Sequence, residues 1–365
     1  MKTLNNRIMQ LTKPYKFEKI EKNVIVNDCD VVVKPTLAYI CAADMRYYTG
    51  NRRPEALKKK LPMALLHEGI GIVQGDTKGF SKGDKVVIVP NIPGYVVNET
   101  SPEECCVACS NKNIGENYCA SGKFISSGAD GIMQKSVIHP SECVVKIPEG
   151  VPDEVAALSE LATVSYAASK KVDIKENDTI AIFGNGAVGY ILYCVISFVY
   201  NIDKDRLFII GTDESKMEAF EHATKLNIRN DEDADKIANI NANYVFECVG
   251  GNNMGSAINT AINLIERGGV IISMGVCEEN VAINMRDVLE KGLTIKGSSR
   301  SSRFEYPIVL EYMKDEKFQQ MLRKIIYENA FKIQSVQNLK EAFDFAASKD
   351  YWGKILLEFE EDLYE

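Results

Sequence analysis

The stretch TIAIFGNGAVGYILYCVISFVY, residues 179–200, decides the fold. Its first five residues form a short apolar run suited to a strand buried on both faces. Gly184, Asn185, Gly186, Ala187, Val188 and Gly189 follow, and an apolar helical segment begins at once. In such a strand-turn-helix unit Gly184 permits the tight turn, Gly186 lets backbone approach a pyrophosphate, and Gly189 allows the helix to pack on the strand. The opening turn around Val188 presents free N–H groups to an anion. A glycine-rich turn alone is common punctuation; between a strand and a helix it predicts dinucleotide binding.

Outward from this unit the alternation continues. RLFII (206–210), YVFECVG (244–250) and GVIISMGV (269–276) read as strands, and DESKMEAFEHATKL (213–226) and GSAINTAINLIE (255–266) as helices. This predicts an α/β doubly wound parallel sheet of the Rossmann kind over residues 156–299. EVAALSELATVSYAASK (154–170) reads as the helix leading into it. Before it, DVVVKPTLAYI (30–40), GIGIVQG (69–75), GDKVVIVP (83–90) and ECVVKIP (142–148) predict an irregular β-rich domain over 1–155, with a polar cysteine lobe at 98–122. The helix NLKEAFDFAAS (338–348) and strand GKILLEF (353–359) return 300–365 to that first domain.

A chain of 365 residues suits two cores. The net charge of -8, with cations dispersed among acids, offers no stripe for nucleic acid and no lipid-binding cluster. No signal-like N-terminal run or membrane-length segment occurs, so a cytoplasmic location and reduced thiols are expected for the ten cysteines.

Cys41, His67 and Glu160 offer a thiolate, an imidazole and a carboxylate, a donor set suited to zinc with one position open for substrate. Glu68 binds directly or exchanges with Glu160, and Asp44 is placed to receive the second N–H of His67. Taken singly, Cys41 reads as a buried thiol and His67 as a core histidine; together in a chain with three histidines they read as a metal centre. His139, before the strand-breaking Pro140, reads as a surface loop residue, and His222 as the polar side of a helix. In ECCVACSNKNIGENYC (104–119), Cys106, Cys109 and Cys119, with Cys105 or Glu103 as fourth donor, are spaced as a closed structural zinc site; a lobe that has lost its metal is the alternative.

Cofactor choice is read at the end of the strand RLFII. Gly211 falls at the ribose-reading position, where a small neutral residue leaves space for a 2′-phosphate and Thr212 or Lys216 could bind it, which predicts NADP(H). A register shift of two seats Asp213 there instead and predicts NAD, and Asp213 also suits a helix N-cap.

CAADMRYYTG (41–50), LLHEGIGIV (65–73), SELATVSYAA (159–168) and GNGAVGY (184–190) make the chain resemble the zinc-dependent medium-chain alcohol and polyol dehydrogenases over nearly its whole length. The resemblance implies a GroES-like catalytic domain, catalytic zinc on Cys41, His67 and Glu160 with Glu68 as ligand or neighbour, and structural zinc on the lobe. ICAADMRYYTG, LPMALLHEG, VPNIP, SSGADGIMQ, FECVGG and VLEKGLTIKGSSRS look more specifically like ribulose-5-phosphate reductases. That implies NADPH-dependent reduction of D-ribulose 5-phosphate to D-ribitol 5-phosphate, supply of CDP-ribitol for teichoic acid or capsule, a dimer or tetramer, and a cytidylyltransferase as partner.

The chain departs from many alcohol dehydrogenases at Ala43, where a proton-relaying Ser or Thr is usual, so the proton is expected to travel through Glu160 or Glu68. Tyr47 and Tyr48 line the polyol pocket or pack its wall. Arg46, Arg52, Arg53, Arg300 and Arg303 are candidates for a substrate phosphate. The rival readings are an NAD-dependent dehydrogenase of an unphosphorylated polyol and a non-catalytic NADP-binding protein.

Overall fold

The computed structural model describes residues 2–348 and 351–364. The chain divides into two compact units, Met1–Thr163 with Arg300–Glu365, and Val164–Ser299. The division falls inside the helix Ser159–Ser169 rather than before it. The predicted helix over 154–170 is in fact two, Asp153–Ala156 and Ser159–Ser169.

The first unit opens with a long antiparallel hairpin, β1 (Lys2–Lys13) and β2 (Lys16–Val26). The hairpin is absent from the sequence expectations; β2 interleaves charged and apolar residues without clean alternation. The strands that follow are β3 (Asp30–Tyr39), β4 (Glu68–Val73), β5 (Lys85–Ile88), β6 (Asn91–Ile92), β7 (Lys123–Phe124), β8 (Val137–Pro140) and β9 (Val144–Lys146). Short strands interrupted by long excursions leave the chemistry-bearing residues at strand ends, where loop geometry can aim them. The last strands, β16 (Phe331–Ile333) and β17 (Leu356–Phe359), pair in parallel, and β17 lies antiparallel to β3, giving the order β16-β17-β3-β4-β5-β9 with β8 also on β3. The helix Val336–Ser348 seals this return, with the Phe343 ring 5.1 Å from Phe17 and 5.0 Å from Tyr48.

The second unit holds β10 (Ile180–Phe183), β11 (Leu207–Gly211), β12 (Thr224–Asn227), β13 (Ala242–Glu247), β14 (Ile265–Ser273) and β15 (Thr294–Gly297), all parallel, in the order β12-β11-β10-β13-β14-β15. The order reverses between β10 and β13, the switch point at which open parallel sheets bind ligands. Its core is a continuous apolar cluster that includes Phe183, Ile210, Val245, Ile262 and Ile271.

Two readings of this unit need correction. The segment 213–226 is a four-residue helix, Glu214–Met217, followed by turns and the edge strand β12. Buried Phe220 packs edge-on to Tyr190 at 5.0 Å, and the chain turns there to lay Thr224–Asn227 along β11, so His222 sits in a turn and not on a helix. The strand read from GVIISMGV starts earlier than expected, as β14 (Ile265–Ser273), and lies next to the exposed edge strand β15.

Candidate active site

Cys41 is the N-cap of the helix Ala42–Tyr48. Its Sγ accepts the Ala43 N–H at 3.5 Å, and Asp44 Oδ2 accepts the Cys41 N–H at 3.0 Å. A helix N-terminus favours negative charge, so the thiolate form suits this position. Burial nevertheless pushes the Cys41 thiol up, with the Glu68 charge adding to it.

His67 follows Leu66, a buried non-glycine residue at φ +70°. Such strain persists only where surrounding bonds over-determine it. Here the Leu66 N–H donates to Asp44 Oδ1 at 3.1 Å, and the Ser126 hydroxyl, itself at φ +59°, donates to the same oxygen at 2.7 Å. Gly131 makes the close approach possible, since a Cβ there would lie 2.3 Å from the Leu66 carbonyl oxygen. Asp44 therefore ties both ligand segments and the 126 turn together through backbone and hydroxyl. The expected Asp44–His67 hydrogen bond is not formed: Asp44 Oδ1 faces His67 Nδ1 across 3.6 Å, too long for one. Burial opposes charge on His67, but Asp44 and Cys41 raise its pKa well above the ordinary value.

Cys41, His67 and Glu68 each bring a ligand atom within 4.8 Å of the others. This thiolate-imidazole-carboxylate set fits zinc in chemistry and spacing. Glu160, in the first turn of Ser159–Ser169, is buried but outside that group. Burial first, then the Glu68 charge, pushes its carboxyl up to about 7. The sequence reading missed Lys354. This buried ammonium hydrogen-bonds Glu68 Oε1 at 2.8 Å and lies 2.7 Å from Oε2. A lysine alone in the apolar run 353–357 was the available signal.

The lobe forms a second donor group. Cys105, Cys106, Cys109 and Cys119 come together, while Glu103 is exposed and outside the group. Sulfur pairs lie 3.6 Å (Cys105–Cys119), 3.5 Å (Cys106–Cys109), 3.8 Å (Cys106–Cys119) and 3.7 Å (Cys109–Cys105) apart. Zinc with bonds of about 2.3 Å in tetrahedral geometry sets thiolates about 3.8 Å apart, so the four fit a closed site. Backbone N–H groups of Cys109 and Ala108 help bring the Cys106 thiol down to about 7. Glu116, just before Cys119, accepts from Tyr95 at 2.5 Å and from Ser302 at 3.1 Å, and Arg303 donates to Tyr95 at 2.8 Å, so Arg303 is committed to the lobe.

Other expected positions move. His139 is buried in β8, 2.8 Å from the Val89 carbonyl oxygen, and burial lowers its pKa to about 4; β8 continues through Pro140 because the strand pairs on the β3 side. Tyr48 is core: its hydroxyl donates to Asp344 at 2.7 Å and its ring stacks on Phe17 at 5.4 Å.

At the glycine turn Gly184 has φ +107°, a Cβ on Gly189 would meet the Gly184 carbonyl oxygen at 1.9 Å, and one on Gly186 would meet nothing within 4 Å. The turn thus fits a dinucleotide, tight where the helix meets the strand and open where a pyrophosphate approaches. Gly211 packs against Asn185. A Cβ there would fall 2.7 Å from the Asn185 amide, whose nitrogen donates to the Asp213 carbonyl oxygen at 2.6 Å. Thr212 is exposed beyond the strand, and Lys216 pairs with Asp213 at 3.1 Å.

Residues 27–149 match the alcohol dehydrogenase GroES-like domain and residues 209–315 the zinc-binding dehydrogenase domain. The chain is 36% identical over 360 residues to ribulose-5-phosphate reductase 1 of Staphylococcus aureus, covering 97% of this chain and 99% of the relative. The chain belongs to the zinc-binding alcohol dehydrogenase family. This dehydrogenase is also 35% identical over 359 residues to ribulose-5-phosphate reductase of Bacillus spizizenii, again with 97% and 99% covered. The crystal structure of S. aureus TarJ in complex with NADPH superposes with a TM-score of 0.80 at 32% identity, over 98% of the dehydrogenase and 100% of TarJ. No helix among the described residues is long and apolar enough to cross a membrane.

Proposed function

We propose that the chain reduces D-ribulose 5-phosphate to D-ribitol 5-phosphate with NADPH. The observation that carries this reading is the likeness to ribulose-5-phosphate reductases along almost the full length of both chains, together with a buried Cys41–His67–Glu68 donor set. Cys41, His67 and Glu68 would hold the catalytic zinc, with Glu160 as a ligand that replaces or joins Glu68. Zinc held there supplies Lewis acidity toward a ketose carbonyl. Asp44 fixes the two ligand segments. With Ala43 in place of a hydroxyl relay, the substrate proton would travel by another route, through water held by Glu160 or Glu68. Lys354 compensates the buried charge of Glu68 when that carboxylate is not on metal.

Gly184, Gly186, Val188 and Gly189 would cradle the cofactor pyrophosphate, and Thr212 and Lys216 beyond Gly211 would meet the 2′-phosphate, with Lys216 leaving Asp213 to do so. Cys105, Cys106, Cys109 and Cys119 would hold structural zinc. The product would feed a cytidylyltransferase making CDP-ribitol for teichoic acid or capsule. A homo-oligomer, dimer or tetramer, is part of the same reading. Exposed Met285 and Leu289 on the helix Met285–Lys291 and exposed Ile295 in the edge strand β15 support it, because exposed large apolar side chains are common at association surfaces.

The test is NADPH oxidation with D-ribulose 5-phosphate against D-ribulose, with ribitol and sorbitol oxidation measured in reverse. Efficient turnover of the phosphoketose is expected. Turnover confined to free polyols with NAD would replace this reading by the polyol dehydrogenase, and binding of NADPH without turnover of any of them would replace it by a non-catalytic protein.

A further inference from the structure

The turn after β7 faces two ways. Phe124 lies edge-on to His67, with ring centroids 5.3 Å apart, and Ser126 holds Asp44. The next residue, Ser127, belongs to a different set of neighbours. Its hydroxyl receives the Lys60 ammonium at 2.8 Å and lies 3.5 Å from the Tyr47 hydroxyl. The Lys60 nitrogen is also 5.8 Å from the Tyr47 ring, so among the described residues this cation meets hydroxyls and an aromatic face and no carboxylate. On the other side of the turn the Arg300 guanidinium stacks over Phe124 at 4.6 Å.

Arg300 is unusual on three counts. It is half-buried, it forms no ion pair among the described residues, and its backbone lies in the left-handed region at φ +61°. Burying a guanidinium without a carboxylate costs free energy, and so does a left-handed non-glycine residue. Among the described residues the Phe124 ring is its neighbour, and no carboxylate pairs with it to offset these costs. Such a residue is placed for something that arrives. The surroundings agree: although burial opposes it, Ser127, Lys60 and Arg52 hold the Tyr47 phenol below its ordinary value, which reports a positive potential at the Tyr47 hydroxyl. Phe124 carries Arg300 on its face and lies edge-on to His67, and Ser127, which receives Lys60, follows Ser126 on Asp44, so the cations share one neighbourhood with the metal donors.

We propose that Arg300 and Lys60, with the Tyr47 and Ser127 hydroxyls, form the receptor for the phosphate of the substrate. The proposal rests on the phosphoketose reading above. It selects among the arginines that sequence alone left open, excluding Arg303, which is bound to the lobe, and adds a lysine that was not among them. A guanidinium and an ammonium around two hydroxyl donors match a phosphate monoester, which offers three strongly accepting oxygens. The Phe124 face fixes the plane of the guanidinium, so less freedom is lost when the anion binds.

The test compares D-ribulose 5-phosphate with D-ribulose at saturating NADPH in wild type, Arg300→Asn, Lys60→Met and the double variant. Asparagine tolerates the left-handed backbone, and methionine keeps the lysine stem. The ratio of kcat/KM for the phosphorylated over the free ketose should fall about tenfold in each single variant and further in the double, chiefly through KM. Competitive inhibition by inorganic phosphate should weaken in parallel. Equal losses on both ketoses would overturn the proposal and make these residues structural. A fall in NADPH affinity with the KM for the phosphoketose unchanged would overturn it too, and assign the cations to the cofactor's phosphates. Wild type that does not distinguish the two ketoses would instead sink the underlying functional reading, and that result is visible before any variant is made.

Discussion

Lys354 and Glu68 form an ion pair that is almost wholly enclosed, with their side chains 5% and 0% exposed and the ammonium 2.8 Å from Glu68 Oε1. They lie 286 positions apart in sequence and meet because β17 pairs with β3, which in turn pairs with β4. Burial works against the charge on Lys354, but Glu68 and Cys41 outweigh it and raise its pKa. The pair gives a third metal donor an enclosed counter-charge.

Lys354→Met should therefore strand an unpaired carboxylate, a change that costs about 3–5 kcal/mol where a buried pair is broken. Removing both charges in Lys354→Met with Glu68→Gln should recover much of that loss. Urea unfolding of the metal-free chains in a double-mutant cycle measures the coupling. Additive losses would mean that the pair contributes nothing beyond its separate residues.

The two donor groups predict different phenotypes. Cys41→Ala removes a donor beside an open position, so zinc content should drop by one per chain and turnover should vanish while cofactor binding persists. Cys109→Ser breaks a closed set of four sulfurs, and thermal stability should fall more than activity at low temperature. Metal analysis with calorimetry on both variants checks this. A wild-type chain that holds one zinc when fully loaded would mean that the lobe is empty.

How much of this was legible in the sequence follows from the range of each interaction. The turn at Gly184 was legible because strand, turn and helix are contiguous. The cysteine lobe was legible because its thiolates lie within a short loop. Lys354 was not, since only the strand pairing of a distant return segment brings it to Glu68. At Gly211 sequence gives the residue's size but not its neighbour, the Asn185 side chain that a Cβ there would meet. His139 misled because Pro140 can end a strand and here does not, pairing with Asp30 across β8 and β3.

Cofactor selectivity should respond to Lys216 rather than to Gly211. Lys216 is held by Asp213 at 3.1 Å in a half-exposed pair, which solvent screens, so releasing it to a 2′-phosphate costs little. Lys216→Ala should weaken NADPH binding about tenfold, the scale of one hydrogen bond to a charged group, and leave NADH nearly unchanged. Asp213→Asn should shift preference further toward NADPH. Fluorescence titration with both cofactors decides it, and a wild type that prefers NADH would assign Asp213 to the ribose hydroxyls.

His139 gives a pH dependence that is separate from catalysis. Burial holds its pKa at about 4, below the 6.5 expected when unfolded, and the Val89 carbonyl oxygen at 2.8 Å only partly offsets this. Because the folded-state value is depressed, the unfolded chain binds the proton first as pH falls. The contribution of neutral His139 is thus fully present above pH 6.5 and is lost progressively down to about pH 4. Between pH 6.5 and 5 the loss is about 2 kcal/mol, at roughly 1.4 kcal/mol per unit. Replacing the imidazole with a side chain that does not titrate removes this component, so His139→Gln should be less stable than wild type at pH 7 yet lose less stability on going to pH 5. Urea midpoints for both proteins at the two pH values give the comparison. Parallel losses would place the acid sensitivity in the carboxylates and leave His139 protonated or solvated in solution.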